Sequence, residues 1–333
     1  MQPLNVLTWH VHGNYLYYLS QAPHRFYLPV KAGRPEGYGG RLPGLPWPDN
    51  VIDVPADAVA DLDLDLILFQ SRRNYVEDRD ILSDAQRRLP QIFLEHDPPR
   101  ESPTDTRHPF GEPDGLLVHV TAFNELMWDN DRTPTRVIEH GVMVPDGVRY
   151  TGEIEKGLVV VNGLPKRGRR LGADVFERVR SEIPLDLVGL GSEAAGGLGE
   201  IGHDELPRLM ARYRFFFNPI RYTSLGLAVC EAMSVGMPVV ALATTEMATV
   251  VENGVSGYAD TRVDVLVERM RRLLDDPSEA ARLGAGAGRT ARRRFDMQRF
   301  VRDWNAAFGD AVAGVRSRVS DREDEARRLS AHA

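Results

Sequence analysis

Short apolar segments alternate with longer amphipathic segments along most of the chain. In the first half, the apolar segments predict strands at 6–9, 26–30, 64–69, 91–95, 116–120 and 135–139. A helix is predicted at 14–21, and the stretch 31–50, which is rich in Gly and Pro, predicts a loop. This pattern is typical of a domain in which strands and helices alternate.

A polar stretch at 145–157, which contains Gly and Pro, predicts a linker, and the alternation then starts again. The second half predicts strands at 158–161, 185–189 and 215–218, and helices at 171–183, 204–213, 263–274, 277–295 and 297–312. Two successive blocks of this kind predict an α/β protein with two Rossmann-like parallel-sheet domains. We expect these parts at 1–150, at 151–296, in a helix at 297–315 and in a polar tail at 316–333.

The 333 residues are 42% hydrophobic and carry a net charge of -7. This acidic balance argues against a nucleic-acid surface and against a strong electrostatic membrane anchor. The sequence has no apolar run of about 18 residues, which predicts no transmembrane segment, and its first residues lack the features of a signal peptide. Cys230 is the single cysteine, so no internal disulfide is expected and a reducing, cytoplasmic compartment is predicted.

Residues 215–258 carry the most informative pattern of the chain. They predict an apolar strand, a loop of small residues, a helix, a second strand, a loop with Gly and Thr, and a closing turn. Glu231 is the lone acidic side chain, just inside that helix. A strand followed by an amide-rich loop and a helix start binds phosphates and sugars in α/β proteins.

A cationic loop follows the first strand of the second domain. It contains Lys166, Arg167, Arg169 and Arg170 at the start of a predicted helix. Positive charge and free helix-start amides together would bind a diphosphate. A solvated basic turn explains the same composition, but the position at the carboxyl end of a strand favours binding.

Two further patterns give weak support for a cofactor or a metal. The string VGLGSEA at 188–194 resembles a dinucleotide fingerprint, but the glycines that follow predict a loop where that fingerprint needs a helix. The string DLDLD at 61–65 contains the spacing of a metal-binding pair. Its alternation with Leu favours a solvated entry into a strand.

Histidines mark two strand ends in the first half. His10 and His12 precede Gly13 in a loop, where substrate contact is favoured over metal binding because no third ligand is near in sequence. His96 and Asp97 end another strand, and functional groups cluster at such ends. A capping role for His96 explains that pattern equally well.

The string GLAVCEAMSVGMPVV, followed by ATTEMATVVENGVSG, resembles the nucleotide-sugar core of retaining GT-B glycosyltransferases of family 4, also called glycosyl transferases group 1. Weaker echoes run along most of the chain, including VIEHGV, VVVNGLPKRG and RFDMQRFVRDW. The resemblance implies a GT-B fold, in which two Rossmann-like domains face a central cleft and a C-terminal helix crosses back to the N-terminal domain.

The resemblance also implies roles for individual residues. Glu231 matches the second Glu of a family motif and would hold the ribose hydroxyls, and Arg167 matches the Lys that neutralises the diphosphate. Asn162 stands where the family has Arg, which weakens the diphosphate clamp unless Lys166 or Arg170 substitutes for it.

Other positions depart from the family pattern around the sugar. Thr223 replaces the first Glu of the pair, while Thr245 and Glu246 replace a Gly-Gly pair. Glu246 is our candidate for the lost sugar-binding carboxylate, and His96 is our candidate on the acceptor side. The remaining donor-binding candidates contribute backbone groups: Gly13, Ser224, Leu225, Gly226 and Leu227.

The implied reaction is transfer of a sugar from a nucleoside diphosphate to a hydroxyl acceptor, with retention of configuration and without a metal or other cofactor. Two alternatives stay open, a catalytically weak nucleotide-sugar-binding protein and a sugar-nucleotide epimerase of GT-B fold. The expected partners are a nucleotide sugar and a carbohydrate or other hydroxyl acceptor, but no nucleic acid. A peripheral position at the inner membrane face and a homo-oligomer are left open.

Overall fold

The computed structural model describes residues 2–330, and the side chains of residues 2–314. The chain forms two compact units. The first consists of Met1–Ile138 together with Phe300–Ala333, and the second is Glu139–Arg299. The predicted linker at 145–157 lies inside the second unit. Within residues 2–330, no helix combines the length and the apolar character that a membrane crossing requires.

The strands are β1 (Asn5–Thr8), β2 (Arg25–Val30), β3 (Val51–Pro55), β4 (Leu66–Phe69), β5 (Gln91–Glu95), β6 (Leu116–His119), β7 (Thr135–Val137), β8 (Ile154–Val160), β9 (Leu185–Val188), β10 (Tyr213–Asn218), β11 (Val239–Leu242) and β12 (Gly257–Asp260). The helices are α1 (Gly13–Leu19), α2 (Arg72–Val76), α3 (Ala122–Met127), α4 (Leu164–Arg167), α5 (Ala173–Arg180), α6 (Leu206–Met210), α7 (Leu227–Val235), α8 (Met247–Val250), α9 (Val263–Asp275), α10 (Pro277–Arg294) and α11 (Met297–Ser330).

The first unit is built on a seven-stranded sheet in the order β3-β2-β1-β4-β5-β6-β7, with every neighbouring pair parallel. In β1, Val6 pairs with Phe26 on one side and with Leu66 on the other. The strands β4 and β6 are buried along their whole length. Continuous burial is typical of parallel strands that are covered on both faces.

The C-terminal helix α11 contributes apolar side chains to the core of the first unit. Phe300, Trp304 and Phe308 are buried, and their spacing of four residues places them on one face of the helix. The indole Nε1 of Trp304 donates a hydrogen bond of 3.1 Å to the hydroxyl of Tyr15. The chain therefore returns to its first unit, as the family resemblance implied.

The second unit is built on a five-stranded sheet in the order β12-β11-β10-β8-β9, and its paired strands are also parallel. The central strand β10 and its neighbour β11 are fully buried. Helix α10 packs closely against the end of α7. A Cβ atom on Gly284 would lie 2.1 Å from the carbonyl oxygen of Gly236, so only glycine permits this approach.

The two parallel sheets with helices confirm the predicted α/β fold. Each numbered strand predicted above is present, with the predicted ends in β5 and with one or both ends shifted in the others. The sequence pattern missed β3, β12 and the short helices α2, α3, α4 and α8, and β12 lies directly after the predicted closing turn. β3 reads VIDVP and lies at the sheet edge, where Pro is tolerated but the apolar signal is weak. Helix α11 runs on through the predicted polar tail to Ser330, and residues 331–333 lie outside the described residues.

Candidate functional site

The carboxyl edge of the second sheet contains a topological switch point. From β8 the chain passes to β9 on one side of the sheet and then to β10 on the other side. The loops after β8 and β10 therefore begin at this switch point, which is where open parallel sheets bind ligands. The loop after β11 lies next to them because β11 pairs with β10.

The loops after β8 and β10 are held together by backbone and side-chain hydrogen bonds. The backbone N–H groups of Arg221 and Tyr222 donate to the carbonyl oxygen of Arg170 at 3.1 and 3.2 Å. The guanidinium of Arg221 binds both carboxylate oxygens of Asp174 at 2.5 and 2.7 Å. These hydrogen bonds hold the pKa of the Asp174 carboxyl below its usual range. The cationic loop therefore has a fixed position beside the loop that precedes α7.

The four basic side chains of the cationic loop have different surroundings. Lys166 and Arg167 are exposed in α4. Arg169 pairs with Asp174 at 2.6 Å, and one guanidinium nitrogen of Arg170 lies 3.5 Å from the carbonyl oxygen of Tyr222. Lys166 makes no ion pair with any residue whose side chain is described, so its ammonium group is available to an anion.

Asn162 has a local role at the edge of this loop. Its side-chain oxygen accepts a hydrogen bond of 2.9 Å from the backbone N–H of Leu190, in the loop after β9. The side chain thus orders the turn beside β9. Because an amide carries no charge, it does not replace the Arg of the family pattern.

Helix α7 begins without a side-chain cap. Gly226 occupies the N-cap position with extended backbone angles, φ -75° and ψ 139°, and no side chain accepts from the first turn. Ser71, Thr121 and Asp276 cap the helices α2, α3 and α10. The helices α1, α4, α5, α6, α8 and α9 begin without a side-chain cap, as α7 does. The first N–H groups of α7 are therefore not occupied by a capping side chain, and such groups bind anions.

The predicted donor-binding residues surround this helix start. Thr223, Ser224 and Leu227 are half-buried, Leu225 is buried and Gly226 is exposed. Their backbone groups lie at the switch point, since they directly precede and begin α7. The structure thus brings the candidates from the loops after β8 and β10 to one edge of the sheet.

Glu231 and Cys230 are both buried in α7. Burial raises the pKa of the Cys230 thiol well above its usual value, and the neighbouring Glu231 adds to this effect. A thiol in such surroundings stays protonated and is a poor nucleophile. This position supports a structural role for Cys230.

Thr245 has an unusual backbone conformation in the loop after β11. Its φ is +52°, in the left-handed region where a β-branched residue is strained. The family pattern has glycine here, and glycine adopts this conformation without a steric penalty. The Thr side chain is therefore present at a local energetic cost.

Glu246, the next residue, is buried in an ionic network. Arg294 lies 3.2 Å from its Oε1 atom and also pairs with Glu139. The hydroxyl of Thr249 donates to the same Oε1 atom at 2.6 Å. This carboxylate oxygen therefore connects α8 to the end of α10. The sequence pattern did not indicate this structural role of Glu246.

The segment that begins the second unit contacts the loop before α7 directly. The ring Nε2 of His140 lies 2.7 Å from the carbonyl oxygen of Leu225, and both residues are buried. Arg299 donates to the backbone carbonyl oxygens of Glu139 and His140 at 2.7 and 2.6 Å. The sequence places this His within VIEHGV, but the residue type and spacing give no indication of its partner.

His96 lies at the carboxyl edge of the first sheet, directly after β5. Its Nε2 is 3.3 Å from the Oε1 atom of Gln70, whose amide nitrogen donates to Thr8 and to the carbonyl oxygen of Trp9. Those two bonds fix the amide orientation of Gln70, so Nε2 of His96 is the donor. Gln70 was missed because a single polar residue after an apolar strand is a weak signal.

The other candidates of the first unit lie near His96. The rings of His12 and His96 are 4.1 Å apart, and Tyr15 contacts His96 edge-on at 4.8 Å. Gly13 begins α1, and a Cβ atom there would lie 3.0 Å from Nε2 of His10. The close approach of the His10 ring thus explains the glycine.

Residues 155–276, within the second unit, match the family described as glycosyl transferases group 1. A D-inositol 3-phosphate glycosyltransferase from Salinispora tropica is 38% identical over 120 residues, which are 35% of this chain and 25% of the relative. A second D-inositol 3-phosphate glycosyltransferase, from Nocardioides sp., is 32% identical over 53% of this chain and 39% of its own length. The aligned region thus spans between a quarter and two fifths of these relatives.

The solved structure of Alr3699/HepE from Anabaena, in complex with UDP-glucose, resembles the whole fold. Its TM-score is 0.67 at 14% sequence identity, with 92% of this chain and 100% of that chain covered. Together, these similarities confirm the predicted resemblance to group 1 glycosyltransferases of the GT-B fold. The family segment contains the loops after β8, β10 and β11.

Replacing Thr245 with Gly should stabilise the protein. Relief of backbone strain is worth about 1–3 kcal/mol and the added chain entropy of Gly costs about 0.5–1 kcal/mol, so a net gain of about 1 kcal/mol is expected. Urea unfolding of the full chain, followed by circular dichroism, measures it. As a control, Thr244→Gly should destabilise because Thr244 donates to the Ile220 carbonyl oxygen at 2.9 Å. A less stable Thr245→Gly would contradict the strain argument.

Proposed function

We propose that this protein is a glycosyltransferase that binds a nucleoside-diphosphate sugar at the carboxyl edge of its second sheet. The observation that carries the proposal is the arrangement at the switch point. There, the uncapped start of α7 is held beside a cationic loop in which Lys166 is unpaired among the described side chains. An anion-binding helix start and a free cation at this switch point fit a diphosphate.

In this mechanism the protein stabilises the charge of the departing diphosphate. The amides of Gly226 and Leu227 would donate to its oxygens, and Lys166 and Arg167 would neutralise it. Buried Glu231 would accept hydrogen bonds from both ribose hydroxyls, since one carboxylate can accept from two adjacent donors. These contacts can act without a metal ion.

Retention of configuration would follow from attack on the face from which the diphosphate departs. The acceptor hydroxyl forms the new bond to the anomeric carbon as the bond to the phosphate oxygen breaks. The leaving phosphate takes the proton of that hydroxyl. We assign the acceptor to the first unit and His96 to its contact with the acceptor.

A second candidate, a nucleotide-sugar-binding protein with weak catalysis, is favoured by one observation. Two polar groups at the positions that depart from the family pattern are engaged within the protein. Asn162 binds the backbone of Leu190, and Glu246 binds Arg294 and Thr249. A GT-B sugar-nucleotide epimerase remains the third alternative.

A panel of nucleotide sugars distinguishes the three functions. UDP-sugars come first, because the similar HepE structure contains UDP-glucose. We expect release of nucleoside diphosphate that increases when a hydroxyl acceptor is added, and a product with the donor's anomeric configuration by NMR. Binding without release would support the binding protein, while an epimeric nucleotide sugar would support the epimerase. Absence of binding to every donor would refute the proposal.

Glu231→Gln should reduce the ability to recognise ribose. We expect wild-type protein to bind the preferred nucleoside diphosphate about tenfold or more tightly than its 2′,3′-dideoxy analogue, because hydrogen bonds to a charged group contribute about 1.5–3 kcal/mol. In Glu231→Gln this preference should fall to about twofold. Calorimetry measures both ligands. Exposed Glu252 offers a control, and a preference unchanged by Glu231→Gln would exclude the ribose role.

Glu246→Gln and His96→Gln test the two catalytic assignments. We expect Glu246→Gln to lower donor affinity and turnover, and His96→Gln to raise the acceptor KM while donor binding stays unchanged. Because Glu246 also binds Arg294, Thr249→Ala is the control: it removes a partner of the Glu246 carboxylate but leaves its charge. If Glu246→Gln preserves donor affinity and turnover, the sugar role of Glu246 is wrong.

A further inference from the structure

The peptide group between Leu225 and Gly226 has a fixed orientation at the start of α7. The Leu225 carbonyl oxygen points to the buried ring of His140, 2.7 Å away. In a trans peptide the carbonyl and the following N–H point in opposite directions. No cis peptide bond occurs among residues 2–330. The N–H of Gly226 therefore points away from His140, and Gly226 is an exposed residue.

The protonation of His140 follows from its partner. A carbonyl oxygen can only accept, so Nε2 of His140 carries the hydrogen. His140 is itself held at its backbone, because Arg299 donates to its carbonyl oxygen at 2.6 Å and to that of Glu139 at 2.7 Å. The Glu139 carboxylate is paired with Arg294. His140, which donates the hydrogen bond to Leu225, is thus part of a network of polar contacts.

We propose that His140 is a positioning residue for donor binding. By holding the Leu225 carbonyl oxygen inside the protein, it presents the Gly226 N–H, and with it the uncapped first turn of α7, to the diphosphate of the donor. This inference rests on the proposed function. It assigns the orientation of the anion-binding amides to a side chain outside the group 1 family segment, which begins at residue 155.

Without the His140 ring, the Leu225 carbonyl oxygen would be buried without its donor. The peptide group would then gain hydrogen bonds by rotating toward solvent, because an unsatisfied buried carbonyl is unfavourable. That rotation turns the Gly226 N–H inward. The expected result is a loop that still folds but has lost the preorganised amide for the phosphate.

Two substitutions separate positioning from general stability. His140→Ala removes the ring N–H that binds the Leu225 carbonyl oxygen. In His140→Gln, the side-chain amide nitrogen can reach the place of Nε2 and donate to the same carbonyl oxygen. His119 in the first unit provides a matched control. It is fully buried, and its Nε2 lies 2.9 Å from the side-chain oxygen of Asn130. His119→Ala therefore removes a similar buried hydrogen-bond donor, which is far in sequence from the loop before α7.

The binding experiment uses UDP and GDP with the full-length protein, measured by calorimetry. We expect His140→Ala to weaken binding of the preferred nucleotide about tenfold, His140→Gln to stay within about threefold of wild type, and His119→Ala to bind as wild type. With the preferred donor, the donor KM should rise more than kcat falls. Wild-type affinity in His140→Ala, or equal losses in the Ala and Gln variants, would overturn the inference.

Hydrogen exchange provides a readout that does not require a nucleotide. In the free protein, we expect the amides of 225–230 to exchange about tenfold faster in His140→Ala, with restored protection in His140→Gln and no change in His119→Ala. Unchanged exchange in His140→Ala would overturn the inference even if the protein bound no nucleotide. Wild-type protein that shows the exchange effect but binds no member of the nucleotide-sugar panel would instead count against the proposed donor.

Discussion

Parallel pairing of β8, β10 and β11 is the constraint on which the candidate site depends. Parallel neighbours place their carboxyl ends at one edge, so the loops that follow these three strands are brought together although they are distant in sequence. The passage of the chain to β9 before β10 places the topological switch point between β8 and β10. The geometry of the sheet thus locates the site, and the residues of the loops determine its chemistry.

The loops themselves are fixed by charged and polar side chains whose hydrogen bonds are made within the protein. Asp174 and Arg221 join the loops after β8 and β10, and Arg294 joins Glu139 to Glu246. Glu246 is buried, so removing its partner would leave an uncompensated charge, which typically costs about 3–5 kcal/mol. Loops held in this way keep their geometry through polar contacts within the protein.

Local patterns in the sequence were sufficient for the strands and for the motif around α7, because buried parallel strands are continuous apolar runs and helix starts follow small residues. They were insufficient for the two short edge strands β3, which contains Asp and Pro, and β12, which reads GYAD. They were also insufficient for Gln70 and His140. The role of each depends on a partner far away in sequence, Gln70 with His96 and His140 with Leu225.

The sequence by itself determined the alternation of strands and helices, the cationic loop, the position of Glu231 in α7 and the resemblance to group 1 glycosyltransferases. Each of these is encoded by neighbouring residues or by a fixed spacing. Only the tertiary structure decided that Asn162 orders a turn, that Thr245 has a strained backbone and that Glu246 pairs with Arg294. These properties arise from backbone angles and from contacts between distant segments, which no local pattern of residue types specifies.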